Sequence, residues 1–149
     1  MTTISSSNHL VRYIKLVQGP GKLELLLLRA HLLAEEYLRA LIDKSLQSPE
    51  HFSHKAFGFN QCLILAKSMY WKEGNEWIWE CLKLLNTARN SMAHKLQTQE
   101  DQSVKKILDR LDLLIGKHSS IPMPSKLGPS VQRMHWRLAS LYASMNRLI

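Results

Sequence analysis

The stretch Leu23-Glu24-Leu25-Leu26-Leu27-Leu28-Arg29-Ala30-His31-Leu32-Leu33-Ala34-Glu35-Glu36-Tyr37-Leu38-Arg39-Ala40-Leu41 decides the fold class. Leu23, Leu26, Leu27, Ala30, Leu33, Ala34, Tyr37 and Leu41 recur at spacings of three and four, which places them on one broad stripe of an α-helix. Gly19-Pro20-Gly21 breaks the chain before this run and Ser48-Pro49-Glu50 ends it. The pattern predicts a helix from Lys22 to Leu46, roughly 40 Å long at ~1.5 Å per residue and long enough to span a small domain.

The same period extends outward in both directions. A short helix is expected over Ser7–Val17, with the Ser5-Ser6-Ser7 cluster as its cap. After Pro49 the chain reads as a loop anchored by Phe52, Phe57 and Phe59. A helix over Asn60–Trp71 follows, and then one over Glu76–Gln97 that begins at Gly74-Asn75 and turns Trp77, Cys81, Leu84, Leu85, Ala88 and Met92 inward. A further helix over Gln102–Ile115 carries Val104, Ile107, Leu108, Leu111, Leu114 and Ile115 and is expected to stop at Gly116. The Ser/Pro-rich stretch His118–Pro129 reads as a connector to a final helix capped by Ser130, with Val131, Met134, Leu138, Leu141, Tyr142 and Met145 inward. No segment alternates apolar and polar residues as a half-buried strand does, and Val is scarce. The expected fold is all-α: an antiparallel helical bundle of five to six helices. It forms one domain over residues 1–149, with a core at about 22–115 and a C-terminal helix at about 130–149.

Composition narrows the function classes. With 149 residues and 45% apolar content the chain supports one core and not two. Two cysteines, Cys62 and Cys81, are too few for a disulfide scaffold, and no signal-peptide pattern or membrane span is apparent, so a cytoplasmic protein without a membrane partner is expected. The formal charge of +8 favours polyanionic partners. It is unevenly spread: residues 101–149 hold eight basic against three acidic residues and so carry +5 of the +8.

Most candidate motifs fail on their chemistry. Gly19-Pro20-Gly21-Lys22 ends like a phosphate-binding loop, but Leu23 stands where a hydroxyl would hold Mg²⁺ and no strand precedes it, so it reads as a helix-breaking turn. His51 and His54 beside Glu50 lack a fourth ligand and read as solvated. No metal or cofactor is expected. Four Trp and six Met at helical spacing read as core.

One segment stands apart: Arg89-Asn90-Ser91-Met92-Ala93-His94, preceded by Leu85-Asn86, on a strongly amphipathic helix. An Arg followed after four residues by a His is a common spacing; the Asn directly after the Arg, the Asn three residues before it and the position near the end of a core helix set this instance apart. In these features the chain resembles the HEPN superfamily of helical nucleotide-binding domains, over about residues 22–115. The resemblance implies a HEPN-like bundle. It also implies a metal-independent endoribonuclease acting as a toxin or anti-phage effector, with Arg89 and His94 catalytic and Asn90 supporting. In such members the motif is duplicated across a homodimer and forms one composite site. Glu35 and Glu36 fall where HEPN proteins often place a polar residue facing the site; a plain salt bridge is the other reading. Toxins of this superfamily that are neutralised by a minimal nucleotidyltransferase carry a Tyr two residues after the His. Here that position is Leu96, which points instead to a separately encoded protein antitoxin or regulator.

Helix geometry bears on this. Asn90 and His94 are four apart and share a face, so the amide is expected to orient the imidazole. Arg89 and His94 lie about 140° apart around the axis, so one helix does not converge them, whereas two copies about a two-fold axis would. The alternative for Arg89 is pairing with an acidic neighbour, and His94 with Lys95 would then simply complement the negative end of the helix. Lys95, Lys105, Lys106, Arg133 and Arg137 are the expected RNA contacts, with Arg110, Lys117, Lys126 and Arg147 as further basic candidates. The competing function is a non-catalytic binding or regulatory module similar to the mannitol operon repressor group.

Overall fold

The structure, a computed structural model, describes residues 23–52, 56–98, 102–119, 121 and 130–148. The expected helix over Ser7–Val17, His54 and Lys126 lie outside these residues. The described chain is all-helical: α1 (Leu23–Ser45), a 3-10 turn (Pro49–His51), α2 (Phe59–Tyr70), α3 (Glu76–Thr98), α4 (Gln102–His118) and α5 (Ser130–Asn146). No helix among these residues is long and apolar enough to cross a membrane.

The stripe of α1 is buried along its length, from Leu26 and Leu27 through Ala30, Leu33 and Ala34 to Tyr37 and Leu41; the side chain of Leu23 lies outside the description. Leu38 and Ile42 are fully buried beside it, which widens the apolar face beyond the expected stripe. The widening has a packing cause: α1 packs on α2, α3 and α5. Helix α3 is central as well, in contact with α1, α2, α4 and α5. It therefore buries Ile78, Trp79 and Leu82 in addition to Trp77, Cys81, Leu85, Ala88 and Met92, while Leu84 stays half-buried. Helices α3 and α4, separated by three residues, pack against each other.

Two tyrosines tie the first and last described helices together. Tyr37 donates its hydroxyl to the carbonyl of Met145 at 2.6 Å, and Tyr142 donates to the carbonyl of Ala30. Both rings are buried, and burial raises both phenol pKa values, so the hydroxyls stay protonated as donors. The C-terminal helix is thereby part of the core, with Met134, Leu138, Leu141 and Met145 buried along it.

The connection between α2 and α3 is organised by Asn75. Its Oδ1 accepts from the Lys72 backbone N–H at 2.9 Å and from Trp79 Nε1 at 3.1 Å, and its Nδ2 donates to the Tyr70 carbonyl at 3.0 Å. Gly74 adopts φ +97°, a left-handed turn conformation that suits glycine.

Helix α4 departs from expectation at its end. Gly116 does not stop it: the helix runs to His118, and the Ser119 N–H still bonds to the Ile115 carbonyl at 2.8 Å. The glycine serves close packing instead. A Cβ there would lie 2.6 Å from a guanidinium nitrogen of Arg137, whose side chain crosses α4 at this point to reach Asp112.

Candidate active-site cleft

On α3, Asn86, Arg89 and Asn90 sit at i, i+3 and i+4 and share one face. On α1, Leu28, His31, Leu32 and Glu35 share another by the same spacing. These two faces and the start of α2, from Gly58 to Gln61, enclose an open cleft of about 470 Å³. That volume lies within the range of sites for small molecules, ~300–1,000 Å³.

His31 is the buried polar residue of the cleft, at 6% exposure. It falls four residues after Leu27 and three before Ala34, which turns it toward the core side of α1. Its ring stacks on Phe59, with centroids 4.2 Å apart, and Nε2 lies 2.9 Å from Asn86 Oδ1. An amide oxygen only accepts, so His31 donates from Nε2 and the other ring nitrogen carries the lone pair in the neutral form. Burial is the largest influence on this imidazole and lowers its pKa. The Asn86 hydrogen bond raises it, the nearby Arg89 charge lowers it further, and Glu35 opposes that charge.

Arg89 is half-buried and lines the cleft. Its guanidinium donates to Asn90 Oδ1 at 3.3 Å, and it makes no ion pair among the described residues. The alternative in which Arg89 pairs with an acidic neighbour therefore finds no support in the described structure. Glu35, and not Glu36, lines the cleft. Its carboxylate accepts from Arg39 at 2.7 Å, four residues on, so it is both a salt-bridge member and a cleft residue. Arg39 also donates to the Phe57 carbonyl at 2.8 Å and so pins the start of α2 against α1.

The remaining sequence-predicted residues fall elsewhere. His94 is exposed, one turn beyond Asn90, and does not line the cleft. The Asn90 oxygen accepts from its neighbour Arg89. Lys95 lies on α3 with its side chain outside the description, and Lys105 and Lys106 are exposed on α4. Arg133 and Arg137 both bond to Asp112, at 3.0 and 2.7 Å, and clamp α5 to α4. His51 stands 3.9 Å from Glu50 on the surface, and no group of three or more metal-ligating side chains occurs among the described residues.

Sequence reasoning singled out Arg89, Asn90 and Glu35 but did not assign roles to His31 or Gln61. The available signal for His31 was its position: an imidazole on the apolar side of α1, four residues before Glu35. Comparison with known proteins returned no match, whether to a protein family, a curated protein or a solved structure.

Proposed function

We propose that the chain is a metal-independent endoribonuclease of HEPN type, acting as a homodimer in a toxin or anti-phage role. The observation that carries this reading is Arg89, a half-buried cation in a cleft without a carboxylate partner among the described residues. A guanidinium held this way is available for a ligand phosphate, and its forked donors suit phosphoryl oxygens. The charge of +8 favours the same polyanion.

The exposure of His94, beyond the cleft of its own chain, fits a composite site in which the motif residues meet across a two-fold axis. In that arrangement the neutral imidazole of His94 takes the proton of an RNA 2′-hydroxyl as its oxygen attacks the adjacent phosphorus. Arg89 stabilises the negative charge that develops on the phosphoryl oxygens. The P–O5′ bond breaks, and the leaving 5′-oxygen is protonated by water or by His94 of the partner subunit. The products are a 2′,3′-cyclic phosphate and a 5′-hydroxyl, and DNA is not cut.

The same exposure of His94 also favours a second reading, an RNA-binding or regulatory module that uses the cleft without cleavage. Purified protein incubated with total RNA in EDTA separates the two. Cleavage to cyclic-phosphate ends by the wild type but not by His94→Ala is the expected result. Absence of cleavage by a preparation that light scattering shows to be dimeric selects the binding module, and a stable monomer overturns the composite site.

A further inference from the structure

Four carboxamides line the cleft, those of Asn60, Gln61, Asn86 and Asn90, and the oxygens of the last three are already engaged. His31 Nε2 donates to Asn86, an Arg89 nitrogen donates to Asn90, and the Gly58 backbone N–H donates to Gln61 at 2.8 Å. An amide whose oxygen is fixed presents its NH₂ group on the opposite side, and that group can only donate. None of the three amide nitrogens has a hydrogen-bond partner among the described residues. Together with Arg89 they give the cleft a wall of N–H donors carried on α3 and the first turn of α2. Glu35 is the one carboxylate in the lining, and Arg39 holds one of its oxygens. Leu28 and Leu32 supply an apolar lip at 40% and 56% exposure.

A wall dominated by donors and carrying one cation favours an acceptor-rich anion, and the apolar lip suits an attached ring. We propose that this wall is a phosphate subsite built by a single chain. In it Arg89 and the amide N–H groups of Asn86, Asn90 and Gln61 hold one phosphate of single-stranded RNA, whose nucleoside lies toward Leu28 and Leu32. His31 is a positioning residue: by fixing the Asn86 oxygen it turns the amide nitrogen to the ligand. The inference rests on the RNA reading for its polymer and not on cleavage.

The test exploits the anchored oxygens. Asn86→Asp, Asn90→Asp and Gln61→Glu each retain the oxygen that takes the internal bond and replace the outward NH₂ donor with an acceptor. Gln47→Glu, at an exposed position after α1, makes the same charge change outside the cleft. Each change is made in the full chain carrying His94→Ala, and fluorescence anisotropy with a labelled single-stranded RNA in EDTA reads the affinity. Calorimetry with uridine 3′-monophosphate is the second arm, and circular dichroism confirms that each variant folds.

Each cleft substitution is expected to weaken RNA binding at least tenfold more than Gln47→Glu does, with the mononucleotide affected in the same order. Equal losses from all four substitutions overturn the subsite and leave the RNA reading standing. Mononucleotide binding that is sensitive to the cleft substitutions, with no binding of RNA, keeps the subsite and overturns the RNA reading. Binding of neither ligand overturns both.

Discussion

Arg89 on α3 and Arg137 on α5 are both half-buried arginines, one expected to be catalytic and the other to contact RNA, yet the fold treats them differently. Arg137 spans α4 over Gly116 and ends on Asp112, where Arg133 joins it. Arg89 lines a cleft, donates to the amide oxygen of the next residue and makes no ion pair among the described residues. A cation whose charge is met inside the fold contributes to stability, and one left without a carboxylate is available to a ligand. The basic last third of the chain is thus a poorer guide to a binding site than its charge suggests, since two of its eight cations are spent on the α4–α5 clamp.

The largest effect expected from this contrast is on activity. On the nuclease reading, Arg89→Ala lowers RNA cleavage by roughly 10²–10³-fold, the loss typical of removing one donor to a developing oxyanion. Its melting temperature should stay near that of the wild type, because Arg89 makes no ion pair among the described residues. A variant that unfolds, or that cleaves at the wild-type rate, removes the distinction between the two arginines.

Arg137→Ala is expected to behave in the opposite way. The Arg137 and Asp112 side chains are 13% and 17% exposed, so little solvent screens their pair. Removing the guanidinium should cost about 2 kcal/mol in urea unfolding, below the ~3–5 kcal/mol of a fully buried pair because Arg133 still reaches Asp112. Arg133, at 51% exposure, should cost under about 0.5 kcal/mol when replaced by Ala. RNA cleavage by the folded fraction should change little in either variant. A tenfold loss in Arg137→Ala at full folding would return this residue to the RNA-contacting set.

These two arginines also mark how far the sequence could be read. The helices were legible because three-to-four periodicity is a local property: α1, α2 and α3 begin and end within a residue or so of where the apolar stripes and the turns at Pro49 and Gly74-Asn75 place them. The end of α4 was misread because a glycine after an apolar run ordinarily signals a left-handed cap. Here it instead accommodates a side chain from a helix about twenty residues further on. Partners distant in sequence were not legible at all. His31 meets Asn86 across 55 residues, and Asp112 meets Arg137 across 25, with nothing in either local pattern to announce the other. In the cleft the sequence therefore yielded the α3 face and Glu35, and the structure added the imidazole and the amide wall.

The cleft also carries a response to pH. The folded-state pKa of His31 is lowered below the ordinary imidazole value of 6.5, first by burial. The unfolded chain then binds the proton more readily than the folded one. Its contribution is fully present above about pH 6.5 and is lost as the pH falls from there through the folded value. His135 is lowered in the same sense by burial and adds to the slope. Urea unfolding should therefore give a stability that is level near neutrality and declines below it. His31→Gln, which retains a donor for Asn86 but does not titrate, should reduce that slope by up to about 1.4 kcal/mol per pH unit. An unchanged slope would mean that the imidazole in the cleft is not the group being protonated.

The smallest effect is expected at Gly116, where two terms oppose. Alanine in a helix interior is favoured over glycine by about 1 kcal/mol. The added Cβ meets the Arg137 guanidinium at 2.6 Å, and that group is the far end of a flexible side chain, so it can move aside at the expense of its 2.7 Å contact with Asp112. Loss of part of that ion pair is worth about the same amount as the gain in propensity, so Gly116→Ala should change stability by less than about 1 kcal/mol. The double variant Gly116→Ala with Arg137→Ala separates the terms, since the clash is gone and only the helix preference remains. It should be more stable than Arg137→Ala alone by about 1 kcal/mol. If instead the alanine is as neutral without the arginine as with it, then the guanidinium does not lie over Gly116, and the clamp is held by Asp112 from some other direction.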